Sequence, residues 1–145
     1  MKFRTIAMTT AALCLGFTAV LAQDAVVEKR EQMMKQVAAS TAAMRNIAKG
    51  DKPYDADAIK TALTTISTNM KAFPDQFPVG SEANSEASPA IWKNEADFRA
   101  KANKLASDAD MILASMPTDA AGVQKAVGTL GANCGSCHET YRLKK

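Results

Sequence analysis

The chain is poor in the residue types from which most catalytic and metal centres are assembled. Its 145 residues include one histidine, one tryptophan and three cysteines, and only 6% are aromatic. With a single imidazole there is no second histidine for acid–base chemistry and no set of four protein ligands for zinc. No nucleophile stands beside a base, so covalent catalysis has no obvious machinery and an enzyme is not expected. The two-residue alternation of a half-buried strand is missing. Internal repeats and blocks of like charge are missing too, and nothing in the charge pattern argues for nucleic acid.

What is present is a 47% hydrophobic composition rich in Ala, Met and Val, at a length that suits one domain. The chain opens "MKFRTIAMTTAALCLGFTAVLAQ", with Lys2 and Arg4 ahead of an uncharged run from Thr5 to Ala22. That order is the pattern of a secretory signal, and the small residues Val20 and Ala22 place the cut after Ala22. The alternative is a membrane anchor, but the run is only ~17 residues where about 20 are needed to span a bilayer. Residues 1–22 are therefore expected to be a cleaved signal peptide, with the functional domain over residues 23–145. Loss of Lys2 and Arg4 from 18 basic against 15 acidic residues leaves a formal charge near +1. Cys14 leaves with the signal, so Cys134 and Cys137 are the cysteines of the exported chain, which points to an oxidising compartment.

Four stretches carry helical periodicity. The first, over residues 25–48, places Val27, Met34, Val37 or Ala38, Thr41, Met44 and Ile47 on one side and stops at Gly50. The second opens with Asp55 as cap, has the stripe Ile59, Leu63, Ile66, Met70 and Phe73, and is stopped by Pro74. The Pro-, Gly- and Ser-rich run over residues 74–88 reads as a loop. Ser88-Pro89 then begins a third helix, with Trp92 near its start and the stripe Phe98, Ala102, Leu105, Ala109, Ile112 and Met116, ended by Pro117. Thr118 or Asp119 caps a fourth, whose stripe is Val123, Val127, Leu130, Cys134, Cys137 and Tyr141. The expectation is an all-α fold, an antiparallel up-down-up-down four-helix bundle. One end of that bundle collects Met33, Met34, Met70, Phe73, Trp92 and the two cysteines.

The cysteines belong to "NCGSCHETYR", in which His138 directly follows Cys137. A disulfide over so short a helical separation is geometrically awkward and would stabilise little. A thioredoxin-like pair needs a helix start behind a strand, and zinc needs four ligands. Covalent haem attachment suits the spacing: two thiols one helical turn apart can each take a vinyl group, and the adjacent imidazole can reach iron.

The chain resembles the class II c-type cytochromes, the cytochrome c-prime family, over essentially all of residues 23–145. The resemblance rests on "REQMM" in the first helix, the "IAKGDKPYD" turn, "FPVG" then "SPAIW" before the third helix, and "GANCGSCHETYR" at the end. It implies haem c joined through Cys134 and Cys137, with His138 as proximal ligand. It further implies that Arg30 contacts a haem propionate, the alternative being a solvated helix charge. Glu31 falls where many members have glutamine, and Glu86 where others have aspartate or threonine; both are departures from the family pattern. Arg142 resembles the basic residue beside the proximal imidazole, the alternative being a solvated C-terminal cation alongside Lys144 and Lys145.

The same resemblance places Met34 opposite His138, whereas Met44 lies ten residues, or about 15 Å, further along the helix. A ligating Met34 gives a low-spin electron carrier. A Met34 that only packs over the iron leaves an open site for nitric oxide or carbon monoxide. The expected partners are redox proteins of the periplasm, and the likeness suggests a homodimer built on the first two helices.

Overall fold

In a computed structural model the backbone of residues 15–144 and the side chains of residues 24–144 are described. The expected signal segment, residues 1–22, lies outside the described side chains. Five helices follow in order: α1 Leu15–Ala48, α2 Ala56–Ala72, α3 Ala90–Lys93, α4 Glu95–Ala114 and α5 Ala120–Tyr141, with a 3-10 turn at Phe73–Gln76. The four long helices close into a ring of neighbours, α1 on α2, α2 on α4, α4 on α5 and α5 on α1, which is the expected up-down-up-down bundle. Among the described residues the sole β-type pairing is an isolated antiparallel bridge between Ala87 and Arg142. No helix among them is long and apolar enough to cross a membrane.

Helix ends follow local chemistry. Gly50, at φ +80, closes α1 in the left-handed region that a side chain disfavours, and its amide donates to the Ile47 carbonyl at 3.1 Å. The Asp55 carboxylate caps α2 by accepting from the Ala58 amide at 3.0 Å. Asp119, rather than Thr118, caps α5, accepting from the Gly122 amide at 2.7 Å.

Three expectations need correction. The third helix does not run unbroken from Ser88-Pro89: it halts after one turn at Asn94, whose backbone (φ −132, ψ 49) is non-helical, and restarts at Glu95. The indole of Trp92 donates to the carbonyls of Phe77 and Pro78, and Tyr141 donates to the Asn94 carbonyl at 3.5 Å, so the break is held by contacts across the bundle end. α4 stops at Ala114 before Pro117 is reached, because Met116, preceding a proline, disfavours the helical region. On α1 the buried line is Val27, Arg30, Met33, Val37, Thr41, Met44 and Ile47; Met34 is only partly buried at its edge and Ala38 is exposed.

Phe77, in the 74–88 connection, is the centre of an aromatic cluster. Its ring meets Phe73 at 5.0 Å, Phe98 at 4.9 Å and Trp92 at 6.0 Å, each edge to face, and Phe98 passes the contact on to Tyr141 at 5.2 Å. Phe98→Ala should therefore cost about 3–5 kcal/mol in denaturant unfolding, while the exposed Lys125→Ala should stay within about 0.5 kcal/mol of the parent.

Candidate functional site

α5 is driven into the bundle by Val123, Ala126, Val127 and Leu130, and its buried face resumes at Tyr141. Between them Cys134 and Cys137 are half-buried against the common core, as Met34, Phe77 and Trp92 also are. Both thiols are free. Burial pushes both pKa values above the ordinary range, with nearby Arg45 and Lys101 opposing at Cys134 and Cys137 respectively. His138, one residue on, lies at an open cleft lined by Gly135, Glu139, Arg142, Leu143 and Lys144. Partial burial, and then the charge of Arg142, lower its pKa, so the imidazole is neutral and keeps a lone pair for a metal.

The segment that carries these groups is tied to α4 by polar contacts that sequence reading missed. Asn133 Nδ2 donates to Asp108 Oδ2 at 2.6 Å, and Lys104 Nζ meets the same oxygen at 2.7 Å. Those two bonds, Lys104 first, hold the Asp108 carboxyl below its usual pKa. Lys101 Nζ donates to Ser136 Oγ at 3.0 Å, and the Tyr141 hydroxyl donates to Asp97 Oδ2 at 2.6 Å. A trace was available in sequence: Asp108 stands three residues after Leu105, within reach of the apolar face, and four after Lys104.

The structure separates the other candidates. Arg30 is 4% exposed and is no solvated helix charge. Its Nη2 donates to the Ser81 carbonyl at 2.7 Å, its Nη1 to Ser81 Oγ at 3.2 Å and to the Gln76 carbonyl at 3.5 Å, and its guanidinium lies 4.8 Å from the centre of the Phe77 ring. Desolvation lowers its pKa. Glu31 is exposed and pairs with Lys35 at 3.8 Å. Glu86 and Arg142 come together: Nε and Nη2 of Arg142 reach Glu86 Oε2 at 2.9 and 2.6 Å, and the Leu143 amide donates to the Glu86 carbonyl at 2.8 Å.

Among the described residues no three His, Cys, Asp or Glu side chains are grouped to hold a bare metal ion. Two cysteines and one imidazole on a single helix suit instead a metal carried by an organic cofactor that carbon–sulfur bonds would tether. The donor set fits haem c.

A helical bundle with that donor set on its last helix is the frame of a c-type haem protein. The model of the family described as Cytochrome C' matches residues 25–142. A cytochrome c-556 from Agrobacterium fabrum is 62% identical over 147 residues, covering 100% of this chain and 99% of its own. An NMR-validated structural model of oxidised cytochrome c556 from R. palustris superposes with TM-score 0.74 at 29% identity, over 83% of this chain and 97% of its own. A nitric oxide complex of a cytochrome c prime mutant from Alcaligenes xylosoxidans gives TM-score 0.74 at 28% identity, over 84% and 97%. The chain belongs to the cytochrome c′ family. It is a c-type cytochrome that binds haem c covalently, and its class is that of electron-transport proteins.

Tyr141, three residues beyond His138, makes this end of the bundle sensitive to alkali. Burial, and then its bond to Asp97, raise its pKa to about 12. A phenol unfolds to a pKa of about 10. The folded state therefore holds this proton more tightly, and the stability it contributes is complete below the unfolded value and lost as pH rises towards 12. Phenolate absorbance should show one titration near that upper value, and Tyr141→Phe should abolish it together with the loss of stability over that interval.

Proposed function

We propose that the protein is an exported single-electron carrier in which Cys134 and Cys137 are the thioether sulfurs, His138 is one axial ligand and Met34 the other. The observation that carries this reading is the coincidence of the chain's one histidine with two half-buried cysteines, packed on the same core as Met34. Bound haem supplies an iron that gains and loses one electron, and a thioether opposite an imidazole favours the ferrous state. The chain's own work is to orient the imidazole, keep water from the buried face and hold both axial groups on rigid helices, so that little moves between oxidation states.

Each side chain has a stated part. The neutral His138 presents a lone pair without first losing a proton. Met34, at the edge of the buried face of α1, can approach the site without leaving the core. Arg30 supplies a fixed cation against the acidic propionates. Arg142, tied to Glu86, stands beside the imidazole. Glu31 is assigned to the rim of the same site. Residues 1–22 direct export to the periplasm, where redox proteins are the partners, and self-association through α1 and α2 follows from the family likeness.

The nitric oxide complex of the Alcaligenes relative favours a second reading, in which Met34 packs without ligating and the iron takes nitric oxide or carbon monoxide. Absorption spectra of oxidised and reduced protein, with and without carbon monoxide, separate the two. Electron transfer through a closed site predicts low-spin bands indifferent to carbon monoxide; Met34→Ala should then turn the spectrum high-spin and lower the potential. A wild-type spectrum that is broad and shifts with carbon monoxide makes the protein a gas binder. Cys134→Ala combined with Cys137→Ala should give haem that acidified solvent extracts; equal extraction from wild type would sink the thioether assignment.

A further inference from the structure

The end of α5 is clasped by the long connection between α2 and α3. Arg142 leaves the helix in an extended conformation (φ −115, ψ 132), while its amide still donates to the His138 carbonyl at 3.2 Å. An antiparallel bridge pairs Ala87 with Arg142; the Ser88 amide donates to the Tyr141 carbonyl at 3.0 Å, and the Leu143 amide to the Glu86 carbonyl at 2.8 Å. With both backbones fixed, the side chains of Glu86 and Arg142 meet at little further cost in ordering. Nε and Nη2 of Arg142 donate to Glu86 Oε2 at 2.9 and 2.6 Å. An ion pair with side chains 53% and 38% accessible adds little to stability. Its cation is felt at the imidazole all the same: burial, and then the charge of Arg142, lower the pKa of His138.

We propose that Glu86 is a positioning residue that lowers the reduction potential of this cytochrome, by holding the Arg142 cation beside His138 and offsetting its charge. This rests on the assignment of His138 as an axial ligand of haem c. On reduction the site gains one electron and its charge falls by one. A neighbouring cation therefore favours the reduced form and a neighbouring anion the oxidised form. Arg142 by itself would raise the potential, and Glu86, bonded to that guanidinium, opposes the effect. The two donor bonds to one carboxylate oxygen, added to the backbone bridge, fix where the cation stands and so make its influence a constant of the fold rather than an average over a solvated side chain.

The test is the reduction potential of the haem-loaded full chain, measured by redox titration of its absorption spectrum at low and at high salt. Glu86→Gln, which keeps the shape of the side chain and removes its charge, should raise the potential. Arg142→Gln should lower it, and the double variant should fall between the two single ones. Both single shifts should shrink at high salt, because the pair is exposed. Glu86→Asp, which restores the anion, should return the potential towards the parental value. Asp57→Asn makes the same charge change in the first turn of α2, at the opposite end of the bundle, and should leave the potential unchanged. A merely structural latch would move both single variants in one direction, by loosening the chain around His138. Shifts of the same sign, or no shift in either variant, overturn the proposal. A His138→Ala chain that keeps the parental spectrum overturns instead the ligand assignment on which it rests.

Discussion

Phe77 sits where the chain leaves its second helix, and the architecture around the haem-binding end hangs on its ring. Three aromatic side chains from the 3-10 turn, α3 and α4 close on it edge to face, and the buried guanidinium of Arg30 covers it from α1. The same guanidinium is bonded to Ser81, itself 2% exposed. A connection rich in Pro, Gly and Ser is thereby fixed to the bundle at both chemical extremes, through aromatic faces and through a desolvated cation. Further along, the same connection pairs with the C-terminal strap: the Ser88 amide donates to the Tyr141 carbonyl at 3.0 Å and the Leu143 amide to the Glu86 carbonyl at 2.8 Å. The residues just past His138 are therefore anchored to the loop that Phe77 anchors to the core.

Two kinds of order divide the bundle. Away from the site, Met44, Ile59, Leu63, Ile66 and Val123 are almost fully buried and provide non-directional cohesion. Around the thiols, glycine and half-buried cysteine replace those side chains, and hydrogen bonds from α4 take over. Polar contacts at the rim tie this part of α5 to α4.

Much of this was legible from residue order. The stripes Ile59, Leu63, Ile66, Met70 and Val123, Val127, Leu130 fixed which faces pack, and the caps at Asp55 and Asp119 lie where their spacing from the apolar run placed them, because periodicity and capping are local properties. Less legible were features decided by partners far along the chain. The break at Asn94 depends on Trp92 and Tyr141 reaching across the bundle end. Arg30, read as a propionate contact with a solvated charge as the alternative, is buried because Phe77 and Ser81 surround it. Glu86 and Arg142 were each read as facing the cofactor, and it took the loop's return path to bring them to each other. Periodicity placed Met34 on the buried line, and the structure gives that position to Met33, one residue earlier, with Met34 at the edge.

By itself the sequence determined an all-helical chain, four amphipathic faces and the spacing of two cysteines and a histidine, for these three lie close in the chain and their spacing is a property of one helix. The tertiary structure decided which charges are buried, how the long connection is anchored and which polar side chains join α5 to α4. Those outcomes rest on contacts between residues distant in sequence, and directional bonds such as Asn133 to Asp108 exist only once α4 and α5 lie side by side.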